Sequence, residues 1–126
     1  RYEILLEDYA TRVRIEGTCA RDIATEMVMP AVKGEYLDTV EAFAKAEKVG
    51  VSSGTCALKE ELVEIGSGLD NLKAGVKKLD EALNGTDSET ILCAMKALRT
   101  TVDALEHKVA DAKWPLPKYR DMLFLY

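Results

Sequence analysis

Two long runs of apolar residues, spaced alternately four and three residues apart, constrain this chain more than any other feature. The spacing places the apolar side chains on one stripe of an α-helix, with the 3.5-residue period that packs helices together at shallow crossing angles near ~20°. The first run is Leu58, Leu62, Ile65, Leu69, Leu72, Val76, Leu79 and Leu83, and the second is Ile91, Met95, Leu98, Val102, Leu105, Val109 and Ala112.

A short polar stretch, NGTDSET at 84–90, separates the two runs. Gly85 suits the left-handed position that follows a helix C-terminus. Thr86 to Glu89 has the S/T-x-x-E form of a capping box, which starts a helix. A turn this short makes its two helices antiparallel neighbours, so the sequence predicts an αα-hairpin.

The first third of the chain also carries helical stripes. Pro30 is the residue least compatible with a continuous helix. It has no N–H to donate to the carbonyl of Glu26, and its ring crowds the preceding turn. We therefore expect a bend or a break there, and a helix end at the GVSSGT stretch that follows. The stripes are Tyr2, Leu5, Leu6, Tyr9 and Val13, then Ala20, Ile23, Ala24, Met27, Val28 and Ala31, then Tyr36, Val40, Phe43 and Ala44.

The predicted fold class is all-α: an antiparallel bundle of three to four long helices with an extended aromatic and proline-containing C-terminal tail. A chain of 126 residues with 6% aromatic content suits one domain of packed helices better than a β-sandwich. The predicted helices span about 2–29, 31–48, 55–84 and 88–112, and the tail spans 113–126. The chain does not begin with Met, and we interpret it as a fragment of a longer enzyme.

Composition argues against several classes of function. The net charge is −5 and no basic stripe with aromatic residues occurs, so nucleic-acid binding is not expected. No apolar run reaches the ~18 residues that a membrane span requires. Cys19, Cys56 and Cys93 form no CxxC pair, which favours reduced thiols, buried or half-buried as small core residues, in a cytoplasmic protein.

The sequence predicts no catalytic, cofactor-binding or metal-binding residue. His107 is the one histidine, and it lies two residues beyond Leu105, so it should face water. No phosphate-binding loop, dinucleotide fingerprint or zinc-protease motif occurs. The carboxylates fall where a solvated helix face places them.

The end of the chain is the strongest candidate for an interaction site. Its large apolar groups are too many to leave in water, and two prolines impose an extended start. The tail should dock either along its own bundle or onto another subunit, and the sequence leaves both open. The predicted docking residues are Trp114, Pro115, Leu116, Pro117, Tyr119, Leu123 and Phe124.

Two stretches resemble a known family. RYEILLEDYATRVRIEGTCARDIATEMVMPA at the start ends in the pair Pro30-Ala31, and MKALRTTVDALEHKVADAKWPLPKYRDMLF lies near the end. Together they resemble the C-terminal region of type III glutamine synthetases, whose closing pattern is matched here by Leu98-Arg99, Val102-Asp103, Leu105-Glu106, Val109, Trp114-Pro115, Pro117, Tyr119, Asp121 and Leu123-Phe124. The middle of the chain matches only as helix.

The resemblance implies a parent enzyme that joins ammonia to glutamate with ATP and a divalent metal (magnesium or manganese), working as a double-ring dodecamer in the cytoplasm. The ligands of that chemistry would lie upstream, so this chain itself would be non-catalytic and hold no cofactor. Its partners would be the upstream catalytic domain of the same chain and further copies in a homo-oligomer. Its role would be structural or in subunit contacts.

Two other hypotheses remain open from the sequence. In one, the chain is a free-standing helical-bundle interaction or sensor module. In the other, which is weaker, it is a carboxylate-bridged metal enzyme built in a bundle, but no Glu-x-x-His pair of the ferritin kind occurs.

Overall fold

The computed structural model describes residues 2–117 of the chain, and within that range it contains helices and no β-strand. The helices are α1 (Tyr2–Ile23), α2 (Met29–Lys48), α3 (Thr55–Asn84) and α4 (Ser88–Glu106). A π-helical turn, Ala24–Val28, joins α1 to α2. The predicted all-α class is confirmed.

The predicted break at Pro30 does not occur, because residues 2–48 form a continuous helical rod. Pro30 is the second residue of α2, which continues directly from the π-helical turn. The preceding turn widens, so that the N–H of Met29 donates to the carbonyl of Ala24, five residues back. Val28 and Met29 keep helical backbone angles throughout. The wider turn accommodates the proline without ending the rod.

The rod, α3 and α4 form the bundle. Arg21 of α1 donates to Asp80 of α3 at 3.0 Å, whereas Gly66 of α3 lies against Tyr36 of α2, so the rod and α3 run antiparallel. Similarly, α3 and α4 run antiparallel, because Gly68 meets Leu105 at one end of the pair. The rod and α4 therefore run in the same direction.

The turns before α3 and α4 have different geometries, and the second one differs from the sequence-based expectation. Gly54 precedes α3 with φ +86°, and the hydroxyl of Thr55 donates to the carbonyl of Ser52 at 2.7 Å. Gly85 is extended (φ −89°, ψ −174°) and not left-handed. Asp87, and not Thr86, caps α4, because its carboxylate accepts from the N–H of Glu89 at 3.2 Å and from the hydroxyl of Thr90.

The core follows the two predicted apolar runs. In the first run every position is buried or half-buried, and in the second all but Ala112 are. The rod contributes fewer groups, with Val28 and Val32 completely buried. The largest fully buried side chains are Leu72, Leu79, Ile91, Leu105, Val28 and Val32.

The last helix is shorter than predicted: α4 ends at Glu106, and not near residue 112. The N–H of Lys108 donates to the carbonyl of Leu105 at 2.9 Å, which closes a tight turn. Val109 still reaches the core, at 4% exposure. The turn redirects the chain so that later residues pack back on the bundle.

No helix within residues 2–117 is long and apolar enough to cross a membrane.

Candidate interaction surfaces

Exposed apolar surfaces are the main features of the described part of the chain that could bind another molecule. Within residues 2–117 no group of three or more His, Cys, Asp or Glu side chains is placed to hold a metal ion. His107 is exposed just after α4. The sequence predicts seven docking residues near the end of the chain.

The first four of these residues lie in the described range. Trp114 and Leu116 are half-buried and pack against the hydrophobic core, and Pro115 is half-buried between them. Pro117 is exposed. The other three, Tyr119, Leu123 and Phe124, lie outside the described residues, so the docking assignment of the whole set stays a prediction.

A lysine fixes the segment that leads to Trp114. The amino group of Lys113 donates to the carboxylate of Glu35 at 2.7 Å and to that of Asp38, both on α2. These hydrogen bonds raise the pKa of Lys113 above its ordinary value, and the one to Asp38 has the larger effect. A second lysine, Lys108, donates to Glu64 of α3 at 3.0 Å. The segment after α4 is thus tied to both α2 and α3.

An apolar groove runs between the rod and α4, with a volume of about 530 Å³. Its floor includes Ala24 and Val28, which are 2% and 0% exposed. Met95 and Val102 line it from α4, and Leu116 closes one end. We call this the rod–α4 groove.

The first turns of α1 extend past the rest of the bundle. The guanidinium of Arg14 donates to the carbonyls of Leu83 and Gly85, at the end of α3. Residues 2–9 therefore lie beyond the turn that joins α3 to α4, over a helix length of about 12 Å. We call this the α1 extension.

Large apolar side chains of the α1 extension are in water. Leu5 is 63% exposed, Leu6 49% and Tyr9 46%. The apolar periodicity predicts that they share a stripe with Val13, but of these four residues only Val13 reaches the core, at 3% exposure. The apolar periodicity predicts the stripe, but it does not indicate where the neighbouring helices end.

The cysteines were expected to be buried or half-buried, and that expectation is wrong. Cys19, Cys56 and Cys93 are all exposed and unpaired. Each lies off the core-facing stripe of its helix: Cys93, for example, is two residues after the buried Ile91. The three cysteines lie on different helices: Cys19 on α1, Cys56 on α3 and Cys93 on α4.

These features define a class: an all-helical bundle domain with two open apolar surfaces and, within residues 2–117, no cluster of metal-binding side chains. Residues 1–48 match the family described as glutamine synthetase C-terminal domain. The match ends where α2 ends, so it covers the whole rod.

Two curated relatives extend the similarity to nearly the full chain. It is 28% identical to a glutamine synthetase of Bacteroides fragilis over 143 aligned positions, covering 98% of this chain. It is 26% identical to a type-3 glutamine synthetase of Dictyostelium discoideum, covering 99% of this chain. The chain spans 19% of the length of each relative. The resemblance drawn from the sequence is confirmed at this level: residues 1–48 match the glutamine synthetase C-terminal domain, and two relatives similar over nearly the whole chain are named as glutamine synthetases.

Proposed function

We propose that this domain is a non-catalytic part of a glutamine synthetase and that it supports the enzyme by packing against the catalytic part and against other subunits. The single observation that carries the proposal is the α1 extension, on which Leu5, Leu6 and Tyr9 are exposed. Such a row of apolar groups at helical spacing on one free helix end is typical of a surface that another polypeptide covers.

The parent reaction would be the ATP-dependent joining of ammonia to glutamate, in a cytoplasmic homo-oligomer. The relatives that share this domain are named as glutamine synthetases and are about five times longer. ATP and a divalent metal ion, magnesium or manganese, would act in the remainder of that chain. Residues 2–117 hold no set of side chains that fits a metal ion, so no step of the reaction is assigned to them.

The free-standing interaction or sensor module is less well supported. It accounts for exposed apolar groups equally well. It gives no reason, however, for similarity to two glutamine synthetases over 98% and 99% of this chain.

A substitution at the α1 extension tests the proposal in the full-length enzyme. Leu5→Glu places a charge in the proposed contact, and Val63→Glu is the matched control, because the two residues are 63% and 62% exposed. Mass photometry should show a loss of assembled enzyme, and ATP-dependent glutamine formation should fall, for Leu5→Glu only. In the 126-residue chain both variants should unfold at nearly the wild-type temperature, as expected for surface changes.

Equal assembly and activity of Leu5→Glu and wild type would contradict the contact. A second measurement tests the non-catalytic role separately. Calorimetric titration of the 126-residue chain with ATP and magnesium should give no binding. Micromolar binding by this chain would overturn the assignment of ATP to the remainder of the enzyme.

A further inference from the structure

The rod–α4 groove is a large apolar depression between described helices, with a volume of about 530 Å³. Ile23 on one wall is 40% exposed, and Leu92 and Met95 on the other are half-buried. A second depression, between α3 and α4, is smaller, at about 390 Å³, and Lys78, Glu81 and Thr90 make its lining more polar. The rod–α4 groove is therefore the better site for an apolar occupant.

The chain itself leads into this groove. Lys113 is held at Glu35 and Asp38, beyond the end of the groove marked by Val28. The backbone then returns, so that Leu116 and Pro117 are part of the groove lining. Pro117, the last described residue, therefore lies at the mouth of the groove.

We propose that the rod–α4 groove is the docking site for the last nine residues of this same chain, 118–126. Their sequence is KYRDMLFLY, in which the final five residues are all large and apolar. The groove follows α4 from Val102 back to Leu92, a distance of about 15 Å along a helix. Nine extended residues reach up to about 30 Å, so the segment is long enough to line the groove from end to end.

The charges on the rim occur in a complementary order. Asp103 lies on the groove at the end where the chain enters, and Arg99 and Lys96 follow further along α4. The segment carries Lys118 and Arg120 first and Asp121 next. A segment that runs antiparallel to α4 brings its bases near Asp103 and its acid near Arg99 and Lys96. Opposite charges in this order favour one direction of docking over the reverse.

This inference is independent of the proposed function, because it concerns only the 126-residue chain and a surface distinct from the α1 extension. Methyl NMR spectra of the chain and of a truncated form ending at Pro117 test it directly. Removal of residues 118–126 should shift the methyl resonances of Ile23, Met95 and Val102. Those of Ile15 and Val63, which lie outside the groove, should keep their positions. Unchanged groove resonances in a helical truncated chain would overturn the proposal.

A matched pair of variants keeps the proposal testable if the truncated chain does not fold. Ile23→Glu places a charge on the groove wall, whereas Ile15→Glu places one on the same helix outside the groove, at a residue that is 59% exposed. Hydrogen exchange followed by mass spectrometry should show lost protection of 118–126 in Ile23→Glu alone. Equal exchange of this segment in both variants would contradict docking in the groove.

Concentration distinguishes docking within one chain from docking onto a second copy. Analytical ultracentrifugation should give a monomer at concentrations at which residues 118–126 are protected from exchange. Protection that appears only together with a dimer would overturn the proposal, because the segment would then occupy the groove of its neighbour.

Discussion

Gly68 of α3 lies directly against the side chain of Leu105 of α4. A Cβ atom added at position 68 would overlap the Cδ2 of Leu105, which is 1% exposed and has little free space around it. One heptad further on, a Cβ at Gly75 would lie 3.2 Å from the Cδ1 of Leu98. The two glycines thus accommodate two leucines of the facing helix and allow α3 and α4 to approach closely.

This contact predicts that Gly68→Ala destabilises the bundle although alanine is the better helix former. Alanine at a solvated helix position stabilises by about 1 kcal/mol relative to glycine. Overpacking against Leu105 typically costs about 1–3 kcal/mol, so the net result should be a loss of about 1 kcal/mol. Urea denaturation followed by circular dichroism measures the change.

Gly34→Ala is the control, because a Cβ at Gly34 of α2 meets nothing within 4 Å. It should raise the free energy of unfolding by about 0.5–1 kcal/mol. Equal stability of Gly68→Ala and Gly34→Ala would show that Leu105 leaves room for a Cβ atom at position 68.

Arg14 is predicted to stabilise the end of α3 more than an ordinary surface arginine would. The last carbonyls of a helix have no partner within the helix, and Arg14 donates to those of Leu83 and Gly85. Hydrogen bonds from a charged donor contribute about 1.5–3 kcal/mol when buried and less when partly exposed. Arg14→Met should therefore lower the free energy of unfolding by about 1–2 kcal/mol.

Arg12→Met provides the comparison for Arg14. Arg12 pairs with Asp8 at 3.4 Å, and both side chains are about 70% exposed (70% and 68%). Such pairs contribute about 0–1 kcal/mol, so Arg12→Met should have a small effect. Equal losses of unfolding free energy in the two variants would show that the hydrogen bonds from Arg14 to the α3 carbonyls stabilise the chain no more than an exposed ion pair does.

Heptad spacing was sufficient to predict the hairpin of α3 and α4, since the period of apolar residues directly encodes which face packs. The packing role of Gly68 and Gly75 was missed. Apolar periodicity does not reveal this role, because a glycine carries no apolar signal. Their spacing of seven, matching that of Leu98 and Leu105, was the available clue.

The rod was harder to predict than the hairpin. Pro30 gives a local signal for interruption, and the wider turn that accommodates it depends on packing of Ala24 and Val28 in the core. Ile23 and Met27, predicted to share the inward stripe, are each 40% exposed. The extra residue in a π-helical turn shifts the inward face, and no residue type marks that shift in sequence.

The surfaces depended on tertiary arrangement in the same way. Sequence analysis identified Trp114 and Leu116 as groups that need cover, because apolar residues next to prolines stand out. It did not find the rod–α4 groove or the α1 extension. Both arise from the relative lengths and positions of helices, which local patterns do not specify.

Trp114 is predicted to contribute to stability through its contact with the core. The side chain is half-buried and packs against buried residues beside Leu116. Trp114→Ala should lower the free energy of unfolding by about 1–3 kcal/mol, and Trp114→Phe by less, because phenylalanine retains most of the apolar area. Guanidinium denaturation measures both. A loss below the experimental error in Trp114→Ala would show that the indole group is not packed on the bundle in solution.

Lys113 predicts a dependence of stability on alkaline pH. Hydrogen bonds to Asp38 and Glu35 raise its pKa in the folded chain, whereas an unfolded lysine titrates near 10.4. A group whose folded pKa is raised contributes stability that is fully present below the unfolded pKa. That contribution is lost as pH rises through the higher, folded pKa. Below about pH 10, the contribution of Lys113 to the free energy of unfolding should therefore not change with pH.

The measurement is the difference in unfolding free energy between wild type and Lys113→Met, followed from pH 8 to the highest pH at which the chain stays folded. The difference should be constant at first and then shrink as Lys113 loses its proton. The titration of the Lys113 side chain, followed by NMR, should have its midpoint above about 10.4, the value of an unfolded lysine. A midpoint at or below that value would mean that Lys113 does not hold the segment after α4 to Glu35 and Asp38 in solution.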